Sequence, residues 1–286
     1  MKSIIKDTPI TYFSNLNSRG ETILFLHAAF ADHTSFDEQV AHFDHDCHVL
    51  TLDILGHGES VNAAGGEKLA DMAGYINTML NQERVDKVHL CGVALGAVIA
   101  QDFANKYPKR VASLACIGSY DINNFDPEIQ ENNRTAQVVM TLGAMISMTH
   151  FARSNSRHSL ITPSAQAAYA EMILRFKRRS FRYLAAIPDM VNKQKTARRN
   201  YPLLIASGSD ENPILLDLIL DWHKREPASQ FTRFRGAGHL ANMDAPELFN
   251  KTYEAFLNRV RLSRPEPIDV TYAFRESVFA SEFVAD

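Results

Sequence analysis

The residues that first invite a chemical reading are Gly92-Val93-Ala94-Leu95-Gly96, inside the stretch HLCGVALGAVIAQDFA over 89–104. An apolar run of strand character meets two closely spaced glycines and continues as a helical pattern. Glycines at both ends of so short a turn permit a sharp change from strand to helix. A nucleophilic side chain at its centre would project above the strand, and the helix N-terminus beneath would favour developing negative charge. The centre here is Ala94, which carries no hydroxyl. The glycine spacing matches neither a dinucleotide-binding turn nor a P-loop, so no cofactor is expected. The histidines fall in no compact ligand spacing such as H-E-x-x-H, so no metal is expected either. Cys47, Cys91 and Cys116 are widely spaced with no C-x-x-C, which reads as buried reduced thiols.

The elements that must position such a turn alternate along the chain. SIIKD and PITYFSN suggest an N-terminal hairpin. Short apolar runs at 22–28, 47–54, 87–93, 111–118, 202–208 and 230–236 read as strands, several separated by helical patterns such as ILLDLILDWHKRE at 214–226. Apolar strands joined by helices predict an α/β fold, a mainly parallel, doubly wound sheet covered on both faces. Residues 119–200 break the rhythm. They hold helical patterns (AQVVMTLGAMISMTHFA, PSAQAAYAEMILRFK, SFRYLAAIPDMVN) and no convincing strand. The expected organisation is therefore a core of 1–118 and 201–260, with a helical cap at 119–200 inserted after the sixth strand. The basic run Lys177, Arg178, Arg179 reads as a solvated face of that cap. Residues 261–286 begin with two prolines and leave open a docked extension, a homodimerisation arm or a tail.

Four motifs, in order, resemble the α/β-hydrolase superfamily. LHAAFADHTSFDEQ (26–39) resembles its loop after the third strand, and LDILGHGES (52–60) its D-x-R-G-H-G-x-S stretch. LCGVALGAVIAQDFANKYPKRVASL (90–114) resembles its nucleophile elbow with the following helix and strand. GAGHLANMDAPELFNKTYEAFL (236–257) resembles its histidine loop and last helix. The resemblance spans roughly 8–260, the cap matching in position and helical character only.

The resemblance implies a nucleophile at 94, where serine is expected and alanine stands, with His239 as general base and Asp210 as the acid that orients it. Asp121, after the sixth strand, is the other position for the acid, but reads better as a loop or helix cap. Backbone amides of Ala29 and Leu95 would form the oxyanion hole, with Phe30 as a neighbouring donor. Ala28 stands where glycine is usual, and Ala97 where a second glycine is common. His57 and His27 are expected to support loop structure. Phe30, Val93, Met140, Met145 and Met148 are the candidate substrate-contacting residues, and the methionine-rich cap suggests a largely apolar ester or lactone.

Two explanations fit the alanine. One is an inactivated serine hydrolase, favoured because neutral decay would spoil more of the machinery. The other is a natural member that lost or never used the serine. Alternatives of other classes are a cofactor-independent lyase or oxygenase working through a His239–Asp210 dyad, and a non-catalytic ligand-binding or signalling protein. At 286 residues, 45% apolar, 22% charged and with net charge −3, the chain shows no bias towards nucleic acid or an anionic membrane. It has no apolar run of spanning length, so a cytoplasmic protein with a small-molecule substrate is expected.

Overall fold

The apolar runs become the strands of one eight-stranded sheet. The structure is a computed structural model that describes residues 1–15, 20–61, 66–124, 126, 131, 138, 140–191 and 199–263. β1 (Lys2–Ile4) and β2 (Thr11–Ser14) form the N-terminal hairpin, with Lys2 opposite Phe13. β3 (Thr22–Leu26), β4 (His48–Leu52), β5 (Val88–Val93), β6 (Val111–Ile117), β7 (Leu203–Gly208) and β8 (Gln230–Phe234) follow. The order is β1-β2-β4-β3-β5-β6-β7-β8, with β2 antiparallel to β4 and every pair from β4 to β8 parallel. Successive residues of β3, β4, β5 and β7 are all buried, so both faces of the sheet are covered, as continuous apolar strands require.

The chain leaves β3 for β4 on one side and then crosses to β5 on the other. The loops after β3 and β5 therefore diverge, and a crevice opens between them at the carboxyl ends of the strands. Helices among the described residues include α1 (Asp37–Phe43), α2 (Met72–Gln82), α3 (Leu95–Lys106), α4 (Met148–Ser159), α5 (Pro163–Arg175), α6 (Pro213–Arg225) and α7 (Pro246–Leu262). No helix among the described residues is long and apolar enough to cross a membrane. Cys47, Cys91 and Cys116 are free and buried.

Between β6 and β7 the described residues are helical or irregular, without a strand. The pattern over 136–152 predicts one helix, but the structure interrupts it. Residues 140–146 are helical, Ser147 is extended at φ −149° and ψ 101°, and its hydroxyl accepts from the His150 N–H to start α4. A serine that satisfies an orphan amide restarts a helix more readily than it continues one. The pattern over 180–192 likewise resolves into short helical turns, one carrying Pro188, which supplies no amide hydrogen. Lys177, Arg178 and Arg179 are exposed. Residues 264–286, most of the C-terminal stretch, lie outside the described residues.

Buried polar groups shape the loops beneath the crevice. Asp53, fully buried, accepts from the His33 N–H at 2.7 Å, the His33 ring at 2.9 Å and the Glu59 N–H at 2.8 Å. His27 donates from Nδ1 to the Ala28 carbonyl at 2.7 Å and accepts the Ile54 N–H on Nε2 at 2.9 Å. His57 is fully buried between the rings of His27 and Phe176. Both histidines thus have the structural place expected for them.

Two expected outcomes follow from this packing. A Cβ on Gly96 would lie 2.0 Å from the Leu26 carbonyl oxygen, whereas one on Gly74 in α2 would meet nothing within 4 Å. Gly96→Ala should therefore lower the thermal midpoint sharply or prevent folding, while Gly74→Ala should be neutral or stabilise by about 0.5 kcal/mol. Circular dichroism melts check the pair, and a tolerated Gly96→Ala would refute the close approach. Burial, with His27 nearby, pushes His57 down to about 3. An unfolded histidine titrates near ~6.5, so below that the unfolded state binds a proton the folded state refuses. Stability from this group is lost as pH falls, by about 1.4 kcal/mol per unit. His57→Gln should flatten the stability–pH curve between about pH 6 and 5, read from urea midpoints; parallel curves would clear His57 of that role.

Candidate active site

The turn at 92–96 is built as its glycines require. Ala94 holds φ 49° and ψ −110° at the start of α3, a left-handed conformation costly for a residue with a Cβ. Its N–H donates to the Ile117 carbonyl at 2.9 Å and its carbonyl accepts from the Ala97 N–H at 3.0 Å, which locks the turn between β6 and the helix. A Cβ at Gly92 would fall 2.4 Å from the Ala97 nitrogen and from the Gly96 carbonyl carbon. Turn and helix therefore touch backbone to backbone, with no room for side chains at 92 or 96.

Ala94 opens onto a cavity of about 700 Å³ at the crevice, which Ala29, Leu95 and His239 also line. The Leu95 N–H is the first of α3 and has no intrahelical acceptor. Ala29 follows β3 on the opposite lip. The two amides expected to meet an oxyanion thus belong to residues that line one cavity.

His239 lies just beyond β8, and its Nδ1 is 3.0 Å from both carboxylate oxygens of Glu211. A carboxylate can only accept, so Nδ1 carries a proton, and in the neutral ring Nε2 is then the acceptor. The acid on the histidine is therefore Glu211 and not Asp210. Both follow β7, but neighbouring residues in a turn point apart. Asp210 is exposed at the cavity rim, with its N–H bonded to the Ala237 carbonyl at 3.0 Å, while the Glu211 side chain is 2% exposed. The signal available in sequence was the acidic pair in SDENP, which two adjacent carboxylates leave undecided. Asp121 is also away from His239: it accepts from Arg199 at 3.2 Å, lies 3.6 Å from Arg225 and takes the Asn123 N–H, as a loop residue would.

Two residues to which the sequence motifs gave no role help to seat the pair. Gly118, at φ +57°, leaves the space in which a Cβ would stand 3.0 Å from His239 Nδ1 and 3.2 Å from Glu211 Oε2. Asp244 gathers the N–H groups of Gly238, Ile161 and Thr162 and the Thr162 hydroxyl at 2.8–3.0 Å, joining the histidine loop to the segment between α4 and α5. Neither had a signal beyond its residue type.

The proposed substrate contacts divide. Met140 lines the cavity, beside Val98, Ile187, Pro188, Leu215 and Leu218. Val93 is buried in β5 and does not line it. Phe30 turns away from it, into the rings of Phe151, Phe176 and Phe181. Met145 lines a neighbouring groove, and Met148 packs on the core half-buried. Alternation and loop direction decide these outcomes: a strand residue next to the turn points into the sheet's covering helices, and a bulky ring after β3 finds more apolar contact under the inserted helices than over the crevice. His158, which no motif marked, also lines the cavity, with its Nδ1 tied to the Ser154 carbonyl at 2.7 Å.

With this geometry in place, comparison with known proteins is informative. The chain matches the dihydrolipoyllysine-residue acetyltransferase components of the acetoin cleaving systems of Cupriavidus necator, 30% identical over 97 residues, and Pseudomonas putida, 26% over 221. These matches cover 34% and 74% of this chain, and it spans only 26% and 56% of the length of those two proteins. It is 26% identical over 253 residues to 3-oxoadipate enol-lactonase 1 of Acinetobacter baylyi, covering 84% of this chain and 89% of that one. A thermophilic esterase from Thermogutta terrifontis superposes with a TM-score of 0.75 at 22% identity, over 91% of this chain and 98% of its own. The family model for the alpha/beta hydrolase fold matches residues 21–246. The chain belongs to the alpha/beta hydrolase fold family.

Proposed function

We propose that this protein is a serine-hydrolase-type enzyme for carboxylic esters or lactones whose nucleophile position is occupied by Ala94, so that the chain as it stands is inactive or strongly impaired. The observation that carries this reading is the pairing of His239 with buried Glu211 on the same cavity as a strained elbow that has kept its backbone shape without its hydroxyl. The enol-lactonase and esterase among the similar proteins support the ester and lactone class. The apolar side chains around the cavity favour a small to medium, largely apolar acyl substrate.

With serine at 94, His239 Nε2 would accept the hydroxyl proton as the oxygen attacks the carbonyl carbon. Glu211 would hold the imidazole in the right tautomer and stabilise it once protonated. The tetrahedral oxyanion would rest on the Leu95 and Ala29 amides while the leaving alcohol takes the proton from His239. Water, deprotonated by His239, would then release the acid. Without the hydroxyl no acyl-enzyme forms, although the cavity still offers binding. The complete His239–Glu211 pair also favours a second reading, proton abstraction by a cofactor-independent lyase or oxygenase that needs no serine. A ligand-binding protein would need neither group.

Ala94→Ser should raise hydrolysis of short and medium p-nitrophenyl esters or lactones by at least about a thousand-fold, since losing such a nucleophile costs roughly a million-fold. In that background His239→Ala should abolish the gain. Glu211→Gln should cost about a thousand- to ten-thousand-fold, and Asp210→Asn less than about threefold. A serine variant no faster than the parent across a broad panel would sink the hydrolase reading. Equal losses for Glu211→Gln and Asp210→Asn would sink the assignment of the acid.

A further inference from the structure

The loop that follows β3 is held in a strained form by the inserted helices rather than by the sheet. The Ala28 carbonyl is satisfied within the loop by the Ala31 N–H at 3.2 Å and by His27 at 2.7 Å. Ala29, Phe30 and Asp32 each have a partner in the segment between β6 and β7. The Tyr169 hydroxyl, from α5, donates to the Ala29 carbonyl at 2.8 Å. The Phe30 ring sits among Phe151, Phe176 and Phe181, with centroids 5.1, 5.0 and 5.6 Å away. Asp32 receives Arg175 at 2.8 Å.

Phe30 itself holds φ 65°, a conformation that a bulky L-residue adopts only when its surroundings impose it. The release for such a residue is to turn over the preceding peptide, which changes ψ of Ala29 and φ of Phe30 together and leaves Ala29 without the anchor on its carbonyl that keeps its own N–H in place. The carbonyl that would have to swing away is the one Tyr169 holds. Tyr169 is 3% exposed, so breaking that bond would strand a buried hydroxyl.

We propose that Tyr169 is a positioning residue for the oxyanion hole: by anchoring the Ala29 carbonyl against the strain at Phe30, it holds in place the residue whose N–H meets the oxyanion, so the hole's assembly depends on the helices between β6 and β7 being seated. This rests on the reading above that the Ala29 amide meets the oxyanion. The tie between them is local. Ala29 lines the cavity with one face, and its carbonyl is anchored to α5 on the other. When α5 lifts from the sheet, Ala29 loses its anchor and Phe30 its cage at once. A seated insertion and an armed site are one state, so hydrolysis of substrate held only loosely at the mouth is suppressed.

Tyr169→Phe keeps the ring and removes only the hydroxyl, and two measurements decide the matter. In the chain as it stands, amide hydrogen exchange over residues 28–32 should speed up by about ten-fold or more, with the helices α3 and α7 unchanged. In the Ala94→Ser background the same change should lower kcat by about 10- to 100-fold, short of the full loss of an oxyanion donor, with KM within about twofold. Unchanged exchange over 28–32 would overturn the proposal, as would a fall in stability with kcat preserved, or a rise in KM alone. If Ala94→Ser confers no activity, the hydrolase reading fails, and the exchange measurement still decides whether Tyr169 holds the loop.

Discussion

The contact on which the site depends is the approach of the first turn of α3 to the end of β3. Gly96 stands so close to the backbone of Leu26 and His27 that a single methyl group would overlap a carbonyl oxygen. That approach brings the loops after β3 and β5 to opposite lips of one crevice, with the helix N-terminus beneath them. It also explains how the turn holds its shape with alanine at its centre. The positive φ of Ala94 is imposed by Gly92, Gly96 and the bond to Ile117, all of which are backbone features. The strain is stored by packing, and the side chain at 94 only makes use of it.

The histidine side of the crevice is set in a different way. His239 and Glu211 come from loops after β8 and β7, strands that pair in register from Leu204–Gln230 to Gly208–Phe234. A parallel pair delivers both loops to the same edge, so a histidine and a carboxylate meet although 28 positions separate them. Gly118 then contributes by lacking a side chain. Asp244 contributes by accepting several main-chain donors at once, which fixes the loop that carries His239. A buried carboxylate so fully engaged is costly to disturb and holds its surroundings to one arrangement.

The inserted helices are therefore part of the site's construction as well as its cover. They grip the loop after β3 through Tyr169 and the aromatic cage, and the histidine loop through Ile161 and Thr162. Their contacts differ in weight. Arg175, whose side chain is 57% exposed, gives its pair with Asp32 little net energy and mainly sets direction. The buried rings around Phe30 and the enclosed Tyr169 hydroxyl carry more, because they remove apolar surface and satisfy a carbonyl.

The sequence alone determined the parallel sheet, the helical character of the described residues between β6 and β7 and the sharp turn at 92–96 with alanine at its centre. Those features rest on local signals: continuous apolar runs, glycine spacing and helical periodicity act over a few residues and leave a readable mark. His239 was legible for the same reason, through the short stretch GAGHLA after a strand. Which carboxylate faces it was settled only in three dimensions, because Asp210 and Glu211 are adjacent acids and the direction of a turn is fixed by what packs around it. The same holds for Phe30, whose ring was expected in the cavity and lies instead among residues more than a hundred positions away in the chain. Gly118, Tyr169 and Asp244 acquire their roles solely from neighbours distant in sequence. Contacts of that kind have no local signature, since their energy appears only when the tertiary structure brings the partners together.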